Sequence, residues 1–175
     1  MTIAFDELDV TVGGESSNSY GTVEELRAYF MSRSEAAEFT AMSDDVLVAR
    51  LIQAALINDT LLTPYGVLAS NSQSLLFPRK NLKDKHGRVY AEAVIPDKIK
   101  YAQFEQALYC HTNNIMMPSI LTQGFVEAKL DVMSIKLDKD FVPKKLSYDA
   151  VDYLSLFGEV SSGGNDMNII SVVRY

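Results

Sequence analysis

The stretch 74–111 constrains the fold more than any other, because a basic, turn-rich loop runs directly into a helix with apolar residues on more than one side. Ile95-Pro96-Asp97 opens that helix. Proline tolerates the first helical position, where its missing N–H costs no hydrogen bond, and an acidic residue in the first turn complements the helix dipole. Ile99, Ala102, Gln106, Tyr109 and Cys110 mark one face, and Phe104, Ala107 and Leu108 widen it. Such a helix is predicted to be the most buried in the chain. The loop before it starts at Leu75-Leu76-Phe77-Pro78 and carries Arg79, Lys80, Lys83, Lys85 and Arg88 against Asp84 alone. The whole connection 64–94 is long for a compact domain, and loops of that length are usually functional or packed.

The remaining segments supply partners for this helix. An alternating run at 8–12 reads as a short strand or extended lead-in that ends in a turn at Gly13-Gly14. Thr22 with Glu25 three residues on is a capping-box pattern, predicting a helix over 22–32 with Leu26, Tyr29 and Phe30 turned inward. Ser43-Asp44-Asp45 opens a second helix, whose apolar stripe through Val46, Leu47, Leu51, Ala54 and Ala55 reaches Leu62 before Pro64 ends it. From Phe125 the period becomes two, with a slip near Met133, which predicts an antiparallel hairpin over 125–138. A last helix starts near Ser147 and stops at Gly158. Beyond it lie a Gly/Ser linker and a β-prone segment holding Ile169, Ile170, Val172, Val173, Arg174 and Tyr175. The expected fold is therefore mainly α, a small bundle of about four helices with a β-hairpin and an extended C-terminal arm. Residues 1–158 form the domain in this reading, and 159–175 the linker and arm.

Charge and composition narrow the function. The net charge is −7 and one domain accounts for 175 residues. Ten Asp or Glu face only Arg27 and Arg33 within 1–49, whereas the 79–88 loop carries +4 and leaves −11 for the rest of the chain. That balance argues against a protein that holds nucleic acid over a broad basic surface. No apolar run is long enough to cross a bilayer, and the acidic N-terminus is unlike a signal peptide, so a cytosolic origin is expected. Cys110 has no second cysteine to pair with. Cys110 and His111 are adjacent on a helix and point about 100° apart, so they do not form a nucleophile–base pair. Asp149 and Asp152 read as an exposed acidic face, Gly13-Gly14 and Gly163-Gly164 lack the lysine of a phosphate loop, and Asn58-Asp59-Thr60 fits a glycosylation acceptor only formally. No enzyme, cofactor or metal site is expected. The basic loop remains, with Phe77 and Tyr90 flanking charges in a way that can stack on unpaired bases.

The ordered set of elements resembles the tailed-phage head–tail connector proteins, also called adaptor or head-completion proteins, in the subgroup labelled DnaT-like single-stranded-DNA-binding. Asn18-Ser19-Tyr20 before Val23-Glu24-Glu25-Leu26-Arg27-Ala28-Tyr29-Phe30, Phe77-Pro78-Arg79, Ile95-Pro96, the hairpin, Tyr148-Asp149-Ala150-Val151-Asp152-Tyr153-Leu154 and the tail ending Val172-Val173-Arg174 carry it. Phe77 stands where that pattern has Trp, and Asp131 where it has Gly. The resemblance implies a virion protein, assembled in the host cytoplasm as a dodecameric ring under the portal protein. Such a ring would extend the channel for double-stranded DNA and dock tail proteins. On that expectation Arg79, Lys80, Lys83, Lys85 and Arg88, together with Ile169, Ile170, Val172, Val173, Arg174 and Tyr175, contact neighbouring copies or the portal. The alternative function is a single-stranded-DNA-binding replication accessory.

Overall fold

A computed structural model describes residues 7–113, 127–130, 133–136 and 145–161. Among them, α1 (Val23–Phe30) begins at the expected capping box: Thr22 Oγ1 accepts from the Glu25 amide at 3.2 Å, and Glu25 Oε2 accepts from the Thr22 amide at 3.0 Å. A 3-10 turn over Ser34–Ala36 and the one-turn α2 (Ala37–Thr40) follow, burying Ala36 and Phe39. Neither was expected, since elements this short give no readable period. Helix α3 (Asp44–Leu61) starts after Ser43, whose side chain makes no capping bond. Asp44 and Asp45 supply the favourable first-turn charge there, and Asp44 also pairs with Arg27 at 2.8 Å.

Helix α4 (Asp97–Asn113) follows Pro96 as predicted and buries eight residues. It separates two apolar clusters. Ile99 and Ala102 pack with Tyr20, Phe77, Leu82, Leu154 and Phe157, whereas Phe104 and Ala107 pack with Leu26, Phe30, Phe39, Leu47 and Leu51. Facing two clusters explains why its apolar residues do not keep to one stripe. Two glutamines lie inside this helix at 0% exposure. Gln103 Oε1 accepts from the Tyr20 and Gly21 amides, each at 3.1 Å, while its Nε2 donates to Ser19 Oγ at 2.7 Å and Leu51 O at 2.9 Å. Gln106 Oε1 accepts from the Ser147 amide at 2.9 Å and its Nε2 donates to Lys145 O at 2.8 Å. Each side-chain oxygen thus satisfies buried backbone amides, those of Tyr20 and Gly21 or that of Ser147, and fixes a non-helical segment to α4.

Helix α5 (Tyr148–Leu154) is capped by Ser147, whose Oγ accepts from the Ala150 amide at 3.0 Å. Three two-stranded antiparallel sheets complete the described fold. β1 (Leu62–Pro64) pairs with β6 (Gly158–Val160), β2 (Val67–Leu68) with β3 (Arg79–Lys80), and β4 (Glu127–Leu130) with β5 (Met133–Lys136). The β4–β5 pair is the expected hairpin, with Leu130 opposite Met133. The mainly α class therefore holds. Gly158 does not stop α5. It opens β6 opposite Pro64, where a Cβ would lie 2.4 Å from Thr63 O, so glycine is required by backbone approach. Ser161 N still donates to Leu61 O at 2.8 Å, so the chain stays on the domain past the 158 boundary drawn from the Gly/Ser run.

Candidate functional site

The 79–90 loop is built from the inside outward. Leu82 is fully buried in the first cluster, and its carbonyl accepts from the Tyr90 amide at 3.1 Å, which closes the two arms of the loop. The Tyr90 ring meets Phe157 edge-on at 5.4 Å, and the Lys85 amide donates to Leu156 O at 2.8 Å, tying the loop to the turn after α5. Lys83 bridges to Val89 across the loop. At the tip Gly87 adopts φ +82°, a left-handed conformation that a side chain would strain. The Asp84 carboxylate fills the turn: Oδ1 accepts from the amides of His86 and Arg88, both at 2.9 Å, and Oδ2 from the Tyr90 hydroxyl at 3.2 Å. Desolvation, the largest single influence on its pKa, acts to raise it. The Arg88 and His86 amides and the Tyr90 hydroxyl outweigh that, so Asp84 titrates below its ordinary value.

The cations of this loop divide into two kinds. Arg79, expected at a partner surface, is 8% exposed. Its Nε donates to Tyr65 O at 2.7 Å, Nη2 to Gly66 O at 2.9 Å and Nη1 to Leu76 O at 3.1 Å. The planar guanidinium is spent on three backbone carbonyls, so Arg79 is a structural residue and is withdrawn from the contact set. Lys83, Lys85 and Arg88 are exposed, and Lys80 is half-buried on β3. None of these four joins an ion pair among the described residues. Phe77, expected to flank the charges, is instead 1% exposed between Tyr20 and Phe157. Its place is taken by Tyr65, which is 42% exposed just before β2 and which the sequence did not single out. Val67, opposite Lys80, and Val89, opposite Lys83, add apolar surface between the charges. Ile169, Ile170, Val172, Val173, Arg174 and Tyr175 lie outside the described residues.

Two carboxylates are held within the packed elements, Asp59 beside the loop's lead-in and Glu105 against α1. Asp59 Oδ1 accepts from the Tyr20 hydroxyl at 2.6 Å and Oδ2 from the Leu76 amide at 3.0 Å, so α3, the N-terminal segment and the loop's lead-in meet at one carboxylate. Burial pushes Asp59 up to about 6 against the lowering effect of both donors. Glu105, 5% exposed, accepts from the Tyr29 hydroxyl at 2.6 Å and pairs with Arg33. Elsewhere, Cys110 is fully buried and its thiol is pushed up by desolvation, while the His111 ring stacks on Phe39 at 5.4 Å. The two side chains therefore face different neighbours, as their helical spacing required. Asn58 is 2% exposed, so no glycan can reach it. Among the described residues no three His, Cys, Asp or Glu gather as a metal site, and no helix is long and apolar enough to cross a membrane.

No curated protein and no solved structure matches the chain. A family model described as "Putative DnaT-like ssDNA binding protein" matches residues 8–175. That match overturns the head–tail connector assignment, and with it the portal and tail proteins as partners and the ring beneath the portal. What the resemblance carried as a subgroup label is the family itself: the chain belongs to the family described as DnaT-like ssDNA-binding proteins.

Proposed function

We propose that the chain binds single-stranded DNA through the 79–90 loop, with Lys83, Lys85 and Arg88 meeting the phosphates and Lys80 at the edge of the contact. The observation that carries this reading is the set of exposed cations that join no ion pair among the described residues, on a folded loop beside Tyr65 and the half-buried Tyr90. Unpaired bases expose faces that such aromatic and apolar side chains can cover, whereas duplex bases are already stacked. The family's description supports the same reading. The net charge of −7 shapes the contact, since repulsion from the acidic remainder confines a strand to this loop and makes binding salt-sensitive. In this reading the protein is a binding module, with no catalytic step assigned to it.

The test is fluorescence anisotropy of a short labelled oligothymidylate titrated with the full chain at low salt. Binding is expected, and the triple variant K83E/K85E/R88E is expected to lose about tenfold or more in affinity with an unchanged circular-dichroism spectrum. Equal affinity for the variant moves the site elsewhere. Absence of binding by the unaltered chain overturns the function.

A further inference from the structure

We propose that Asp84, the one acidic residue of the basic loop, is a positioning residue for single-stranded DNA: its carboxylate holds the turn that points Lys83, Lys85 and Arg88 outward. The inference rests on the binding reading above and adds to it a residue whose charge opposes the ligand. Its geometry is specific. The carboxylate accepts from the amides of His86 and Arg88 and from the Tyr90 hydroxyl, while the backbone closes around it through Asp84 N to Arg88 O at 3.0 Å and Gly87 N to Asp84 O at 2.8 Å. Both oxygens of the carboxylate accept from the loop's own donors, and the side chains of Lys83, Lys85 and Arg88 remain exposed at the surface.

Coulomb attraction and preorganisation make opposite forecasts for this residue. Removing a negative charge from beside three cations should tighten a phosphate contact if charge alone governs it. If the turn matters, loosening it leaves part of the segment 84–88 to be ordered on binding, and a net ordering equivalent to one residue weakens binding by about tenfold. Several residues share the Asp84 turn, so the ordering effect is expected to exceed the gain from one deleted charge.

The experiment compares Asp84→Ala and Asp84→Asn in the full chain, using the same oligothymidylate at fixed salt, with the melting temperature of each variant recorded. Asp84→Ala is expected to bind about tenfold more weakly although its net charge is more favourable, with faster hydrogen exchange at the His86 and Arg88 amides. Asp84→Asn keeps an acceptor oxygen toward those amides and loses the charge, so it is expected to restore affinity to that of the unaltered chain or above it. An Asp84→Ala chain that binds as tightly as the unaltered one, or Asp84→Asn no better than Asp84→Ala, overturns the positioning role. An unaltered chain that fails to bind overturns instead the reading on which it rests, and the inference with it.

Discussion

Replacing Arg79 by alanine separates a structural cation from the binding cations beside it in sequence. The change removes three donors and leaves the carbonyls of Tyr65, Gly66 and Leu76 at an 8%-exposed position. Taking about 1 kcal/mol net for each hydrogen bond, Arg79→Ala is expected to destabilise the fold by roughly 3 kcal/mol. For a chain of this size that is a fall in melting temperature of roughly 6–12 °C. Arg79→Lys offers a single ammonium in place of the planar fork and should recover about one bond, leaving a loss of roughly 2 kcal/mol. Lys83→Ala, Lys85→Ala and Arg88→Ala, at exposed positions, should each change stability by less than about 0.5 kcal/mol. The assay is urea unfolding followed by circular dichroism, beside oligothymidylate affinity for each variant. If Arg79→Ala is as stable as Arg88→Ala, or loses affinity without losing stability, Arg79 is not a structural cation.

Asp59 gives a pH signature. Its folded-state pKa of about 6 lies above its ordinary value of 3.8, so the folded chain holds that proton more tightly than the unfolded one. The stability due to this group is complete below about pH 4 and is lost as pH rises through about 6, on the order of 3 kcal/mol. Stability relative to Asp59→Asn should therefore decline from about pH 4 to pH 7; a constant difference across that range contradicts the assignment. Gln103→Ala strands the buried Tyr20 and Gly21 amides and should cost about 3 kcal/mol in urea unfolding, and a loss below about 1 kcal/mol would mean that those amides find other acceptors when the side chain is removed. Gly158→Ala places a methyl group 2.4 Å from Thr63 O and should cost at least about 2 kcal/mol by opening β1–β6, whereas an unchanged melting temperature would place the two strands further apart than described.

Helix starts were legible because they are decided by near neighbours. Thr22 with Glu25, Pro96 with Asp97, and Ser147 each act within one turn, and the structure begins helices at all three. The exposed cations Lys83, Lys85 and Arg88 were legible for a similar reason, since charge clustered in a Gly-containing loop has little to bury it. Arg79 was not. Nothing in the run Arg79-Lys80 says which cation turns inward, because the carbonyls that receive Arg79 come from Tyr65 and Gly66, brought near by the β2–β3 pairing. Phe77 and Gly158 misled in the same way: the burial of one and the strand role of the other depend on α5 and β1, distant in sequence. The connector resemblance drew on the order of elements, which describes a fold more than a function. The family match overturned the connector function, while the predicted mainly α architecture stood.

The salt dependence of oligothymidylate affinity tests the central claim most directly. If Lys83, Lys85 and Arg88, with Lys80 at the edge, neutralise three to four phosphates, a plot of log affinity against log salt concentration should fall with a slope of roughly −2 to −3 for the unaltered chain. The slope should flatten toward zero for K83E/K85E/R88E. A slope that is the same in both proteins, or no measurable binding by the unaltered chain at low salt, would contradict the account.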